Sequence, residues 1–148
     1  MKFPIYLDYN ATTPTDPRVV EAMTPYFTQT YGNAASRNHQ FGWEAEQAVE
    51  KARDLLGETI GGGGREIVLT SGATESNNLA ILGVADFYKE KGRHIITSPI
   101  EHKAVIDPCQ ALEQRGYDVT FLDVDDDGCI SLEQLEKSIR SDTILVSL

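Results

Sequence analysis

Residues 66–82 read Glu66-Ile67-Val68-Leu69-Thr70-Ser71-Gly72-Ala73-Thr74-Glu75-Ser76-Asn77-Asn78-Leu79-Ala80-Ile81-Leu82. The apolar run predicts a buried strand over Glu66–Thr70, and the pattern from Ser76 onward predicts a helix. Between them stand small, hydroxyl-bearing residues around Gly72. A strand, a small-residue turn and a helix start together suit an anion. The first N–H groups of a helix have no intrahelical partner, and the helix dipole adds partial positive charge there. Gly72 lets an anion approach the backbone, while Ser71 and Thr74 can donate hydroxyl hydrogen bonds. The stretch lacks the Gly-Lys-Ser/Thr of a nucleotide P-loop and the Gly-x-Gly-x-x-Gly of a dinucleotide site. The expected anion is therefore the phosphate of some other cofactor or substrate. An ordinary turn capped by Ser71 or Thr74 would show the same letters.

Downstream, the pattern alternates. Ser76–Lys91 predicts a helix ending at Gly92, His94–Thr97 a strand, and Lys103–Arg115 a helix ending at Gly116. Tyr117–Leu122 predicts a strand, Ser131–Ile139 a helix and Thr143–Ser147 a strand. Strands separated by helices of this size imply an α/β fold with a mostly parallel sheet flanked by helices. Ligands then bind at the carboxyl ends of the strands. The loops leaving Thr70 and Thr97 belong on that one edge.

Upstream, a helix is expected to start near Thr15-Asp16-Pro17, with Pro25 kinking it or ending it early. A long helix over Phe41–Ile60 carries Ala45, Ala48, Ala52, Leu55, Leu56 and Ile60 on one face. The four glycines Gly61–Gly64 read as a flexible turn without a ligand. Tyr6-Leu7-Asp8 reads as a brief extended piece.

The chain has 148 residues, 41% hydrophobic and 24% charged, which suits one soluble domain. Its net charge of −10 argues against direct nucleic-acid binding and against docking on anionic membranes. No apolar run reaches membrane-spanning length. The stretch Met1–Asp8 is too short and too polar for a signal peptide. Two cysteines, Cys109 and Cys129, make no disulfide framework, so a cytoplasmic location is expected. The end of the chain, Ile144-Leu145-Val146-Ser147-Leu148, is an apolar strand without a closing turn, and we expect a chain cut there.

His102 follows Glu101 directly after a predicted strand, on the same edge as the phosphate-type turn. An imidazole there can stack on a flat cofactor or move protons near neutral pH. A helix cap would place a histidine there equally well. His39 can line a site, whereas His94 begins a strand and reads as structural. Asp123-Val124-Asp125-Asp126-Asp127-Gly128 imitates a calcium loop, with carboxylates at positions one, three and five. Position twelve is Gln134 rather than glutamate, and a strand precedes the loop where a helix is required. An acidic turn is the expected reading, with a non-catalytic acidic binding module as the alternative. Carboxylates near either cysteine make a nucleophilic thiol unexpected.

Four motifs occur in order: Tyr6-Leu7-Asp8-Tyr9-Asn10-Ala11-Thr12-Thr13-Pro14, Gly32-Asn33-Ala34-Ala35-Ser36-Arg37-Asn38-His39, Thr70–Asn78 and Glu101-His102-Lys103-Ala104. Together they resemble the N-terminal part of a cysteine desulfurase of the IscS/NifS kind. These are enzymes of the class V aminotransferase group that use pyridoxal 5'-phosphate (PLP) on fold type I. The resemblance implies that Ala73 and Thr74 hold the PLP phosphate. It implies that His102 stacks on the PLP ring and takes part in acid–base steps. It implies that Asn10, Ala11, Thr12 and Thr13 belong to a segment returning to the active-site region. Residues 1–15 are then associated with the small domain, and residues 16–148 form an incomplete PLP-binding large domain.

The implied reaction takes sulfur from L-cysteine and leaves L-alanine. A lysine Schiff base makes PLP an electron sink, and a mobile-loop cysteine carries the sulfur as a persulfide. The implied partners are a second copy in a homodimer, iron–sulfur scaffold proteins and other sulfur acceptors, including those of tRNA thiolation. A selenocysteine lyase or another class V enzyme is the alternative. In the family, the Schiff-base lysine, the aspartate at the pyridine nitrogen, a glutamine near the cofactor oxygen and the persulfide cysteine all fall beyond position 148. Neither Lys91 nor Lys103, and neither Cys109 nor Cys129, matches them. No desulfurase turnover is expected from these residues alone, and a cut sheet edge is expected to make them self-associate.

Overall fold

A computed structural model describes residues 4–148. The first three residues of the stretch weighed as a leader lie outside the described residues. The chain divides into two compact units, one up to Val68 and one from Leu69 onward.

The first unit contains α1 (Pro17–Thr28), α2 (Gln40–Thr59) and a single 3-10 turn over Gly64–Glu66. Asp16 starts α1 by accepting the Arg18 N–H at 2.8 Å, and it pairs with the same residue's guanidinium. Pro25 does not stop α1, because it falls in the last turn and its carbonyl still accepts from Gln29. His39 caps α2, its Nδ1 accepting from the Gly42 N–H at 3.2 Å. Gly42 is obligatory there: a Cβ would sit 1.8 Å from the carbonyl oxygen of Ser36. The four glycines form a hydrogen-bonded turn rather than a loose break. Gly62 N–H donates to the Gly57 carbonyl at 2.8 Å, and Gly63 N–H donates to the Glu66 carboxylate at 2.7 Å. Tyr6–Asp8 adopts no regular element.

The strand expected over Glu66–Thr70 is a correction. Glu66 closes the 3-10 turn, and residues 67–70 pair with no strand among the described residues. Ile67 is extended, with φ −89° and ψ 121°, but its carbonyl is taken by the Arg53 guanidinium at 2.8 Å instead of a ladder. Extended dihedrals are local, whereas a strand requires a partner to hydrogen-bond.

The second unit runs α3 (Ala73–Tyr88), β1 (His94–Thr97), α4 (Lys103–Glu113), β2 (Asp118–Phe121), α5 (Leu132–Ser138) and β3 (Thr143–Val146). The three strands form a parallel sheet in the order β2-β1-β3, with His94 opposite Asp118 and Thr143. Each step from strand to strand crosses through a helix, as parallel pairing requires. Every residue of the central strand β1 is buried. Ile95 points to the core with Ile81 and Ala85 of α3 and Val105, Cys109 and Leu112 of α4. Tyr117 closes that core from the side and donates its hydroxyl to the Ala85 carbonyl at 2.7 Å. The helices begin and end within three residues of the expected bounds, and β1 matches them.

His94 is structural, as expected. Its ring lies between two neighbouring strands, with Nδ1 2.7 Å from the Thr143 hydroxyl and Nε2 2.8 Å from the Thr120 hydroxyl. The side chain is inaccessible to solvent. Burial and the nearby Arg140 hold its pKa below the ordinary histidine value, against the opposing pull of Asp118 and Asp142. Folding thus favours the neutral ring. The unfolded chain, with the ordinary histidine pKa, takes up a proton more readily than the folded one, so this contribution to stability is fully present above that pKa and declines as the pH falls below it. We expect the melting temperature to drop between pH 7.5 and 5.5, and His94→Gln to flatten that dependence while lowering the whole curve. An unchanged slope in His94→Gln would refute the assignment.

Candidate functional site

The phosphate-type turn and His102 both lie in the second unit, at the starts of two neighbouring helices. Gly72 is the cap residue of α3, with φ 155° and ψ −180°, a conformation that favours glycine. It supplies no side-chain cap. Among the described residues, no acceptor takes the N–H groups of Ala73 and Thr74, and the Thr74 hydroxyl has no partner. A Cβ built on Gly72 meets nothing within 4 Å. Two N–H groups and one hydroxyl at a helix start, with open space beside them, are a donor set for an oxyanion.

Ser71 does not contribute as expected. Its hydroxyl and its backbone N–H both donate to one oxygen of Glu75, at 2.6 and 2.7 Å. These bonds hold the Glu75 carboxyl below the ordinary glutamate range, the hydroxyl contributing most. The helix also begins at Ala73, three residues before the apolar pattern does.

His102 caps α4. Its Nδ1 accepts from the Ala104 N–H at 3.0 Å. An accepting Nδ1 leaves Nε2 as the nitrogen that carries the proton in the neutral ring. The ring is exposed, so Nε2 is free to meet a ligand or exchange a proton. Capping and function are thus compatible, because they use different nitrogens.

Asn78 links the two helix starts. Its amide donates to the Thr74 carbonyl at 2.9 Å and reaches the Ala104 carbonyl at 3.5 Å. No role follows for it from the motif alone, although a carboxamide one turn into a helix is the signal to look for. The Thr97 hydroxyl, at the carboxyl end of β1, is buried and has no hydrogen-bond partner among the described residues.

Asn10, Ala11, Thr12 and Thr13 lie in the first unit, exposed, in a turn where Ala11 and Thr12 donate to the Asp8 carbonyl. His39 is occupied as the cap of α2. The acidic segment is the expected turn: Asp125 accepts from the N–H groups of Asp127 and Cys129, and Gln134 binds Asp123. Among the described residues, no group of three or more metal-ligating side chains converges. Burial, helped by Glu113, pushes the Cys109 thiol up, so it is a core residue and not a nucleophile. No helix among the described residues is long and apolar enough to cross a membrane.

The chain is 57% identical over its full length to the cysteine desulfurase IscS of Anaeromyxobacter sp. (strain K). It is 59% identical over 150 residues to the IscS of Psychromonas ingrahamii. It spans 37% of the length of each. Among solved structures, it is similar to a NifS-like protein, with a TM-score of 0.92 and 42% identity over 97% of this chain and 39% of that one. SspA in complex with cysteine gives a TM-score of 0.88 at 42% identity, over 95% of this chain and 40% of the other. These likenesses agree with the α/β fold and the parallel sheet. The profile of class V aminotransferases matches residues 5–148, and the chain belongs to that family.

Proposed function

We propose that the chain is the N-terminal part of a PLP-dependent cysteine desulfurase. The observation that carries this reading is the bare start of α3, open at Gly72 and linked through Asn78 to the helix that His102 caps. The donor set fits a phosphate monoester: Ala73 and Thr74 would hold it with their N–H groups, and Thr74 with its hydroxyl. His102 would lie against the ring and hold or move a proton at Nε2. When bound, PLP supplies an electron sink for the carbon bearing the substrate's amino group. The segment Asn10–Thr13 would border the substrate. Residues 16–148 would form part of the PLP-binding large domain, with residues 1–15 associated with the small domain.

On this reading the substrate is L-cysteine, the product is L-alanine, and the sulfur passes to iron–sulfur scaffold and other acceptor proteins from a cytoplasmic homodimer. The named relatives support it, since the IscS proteins are cysteine desulfurases by name and SspA was solved with cysteine.

A chimera tests it. Residues 1–148 replace the matching 37% of the Anaeromyxobacter IscS. The purified chimera, supplied with PLP and L-cysteine, is expected to release L-alanine, while the 148-residue chain alone releases none. A folded, PLP-loaded chimera that is inert toward cysteine but acts on selenocysteine or on an amino donor would overturn the desulfurase reading.

A further inference from the structure

We propose that Glu75 is a positioning residue for phosphate recognition: through Ser71 it fixes the turn before α3 while leaving the N–H groups of Ala73 and Thr74 bare for the ligand. Glu75 has this role only if the turn holds the PLP phosphate, as proposed above.

In a capping box, the cap side chain takes a helix N–H, and a glutamate in the first turn takes the N–H of the cap. Here the first half is missing, because the cap is Gly72. The second half is shifted by one residue, because Glu75 reaches past Gly72 to both donors of Ser71, at 2.7 and 2.6 Å. Glycine is the residue least able to fix its own dihedrals. A turn built on it needs an outside restraint, and a conventional cap would consume the donors a phosphate needs. Glu75 supplies the restraint through Ser71. It takes the Ser71 hydroxyl as well, and the Thr74 hydroxyl has no partner among the described residues.

A carboxylate beside an anion site also repels the anion. The two effects predict opposite signs. If Glu75 is only a charge, removing it tightens phosphate binding. If it positions the turn, removing it weakens binding.

Equilibrium dialysis of the full-length chimera described above against pyridoxal 5'-phosphate, and against pyridoxal without the phosphate, isolates the phosphate contribution as a ratio of dissociation constants. Glu75→Ala is expected to lower the preference for the phosphorylated form about tenfold, with pyridoxal binding unchanged. Glu75→Gln keeps an oxygen acceptor for Ser71 and is expected to retain the preference. If Glu75→Ala does not fold, judged by circular dichroism, Ser71→Ala decides, since it removes one of the two bonds and keeps the charge. An unchanged or raised preference in Glu75→Ala, or an unchanged one in Ser71→Ala, overturns the role of Glu75 and leaves the cofactor reading standing. A chimera with residues 1–148 unsubstituted that binds both compounds equally overturns the cofactor reading, and Glu75 with it.

Discussion

Ile95→Ala is expected to destabilise the second unit by about 2–5 kcal/mol. Ile95 is fully buried at the centre of the sheet. It touches a core drawn from both helices, with Ile81 and Ala85 on one side and Val105, Cys109 and Leu112 on the other. Truncation removes the transfer free energy of three carbons and leaves a cavity between rigid elements. A sheet flanked by neighbouring strands collapses poorly onto such a gap, so the upper part of the range is expected. A domain of this size has roughly 5–15 kcal/mol in total, so one truncation consumes a large share. Native-state amide exchange along β1 reads the effect locally and separates it from the first unit. Protection at Ile96 and Thr97 should fall by about 30-fold or more. Phe87→Ala is the control: Phe87 is 78% exposed, and its loss should change stability by at most about 0.5 kcal/mol. Equal effects at the two positions would mean that the core is not where the structure puts it.

The legible parts of the fold were those whose signals are local. His94–Thr97 is a short apolar run closed by Gly92 and Pro99, and the strand occupies those four residues. Gly92 and Gly116 likewise follow shortly after the helix ends at Tyr88 and Glu113. What periodicity cannot report is the partner. Glu66–Thr70 has the letters of a strand but no ladder. The predicted apolar face of α2 is largely uncovered: among its predicted members only Ala45 is buried, and Leu55 and Ile60 are 55% and 75% exposed. A stripe says which way a helix would turn toward a cover, and nothing about where the cover comes from.

The candidate site divides in the same way. Thr74 and His102 stand out from the residues themselves, since a turn with glycine before a helix and a histidine after a strand each have a known physical use, whereas Ala73 is singled out only by the resemblance to the family. The loss of Ser71 as a donor was not legible. A capping box is sought at a spacing of three, from Ser or Thr to Glu, and here the spacing is four with glycine at the cap. Asn78 was hidden for a related reason: its second contact, with Ala104, lies 26 residues away in sequence. The division of labour between the two nitrogens of His102 depends on one hydrogen bond that sequence cannot show.

Ala73→Pro is expected to weaken phosphate binding about 10- to 100-fold without harming the helix. Ala73 is the first residue of α3. Its N–H has no acceptor within the chain among the described residues, so proline deletes a ligand donor and no helical bond. Proline suits this position because its fixed φ is already helical. The preceding Gly72 lies at φ 155° and ψ −180°, outside the region usual before a proline, but glycine adopts that conformation freely and space beside it is open. The expected fold cost is therefore small. A hydrogen bond to a charged phosphate contributes about 1.5–3 kcal/mol, and this sets the expected factor. An NMR titration with inorganic phosphate, followed at the Thr74 amide, measures it, and far-UV circular dichroism confirms the helix. Unchanged affinity with the helix intact would show that the anion, if bound, sits elsewhere. Loss of the helix together with binding would instead mean that the start of α3 lies elsewhere than Ala73. Only a loss of affinity in a chain that keeps its helix ties phosphate to this backbone group.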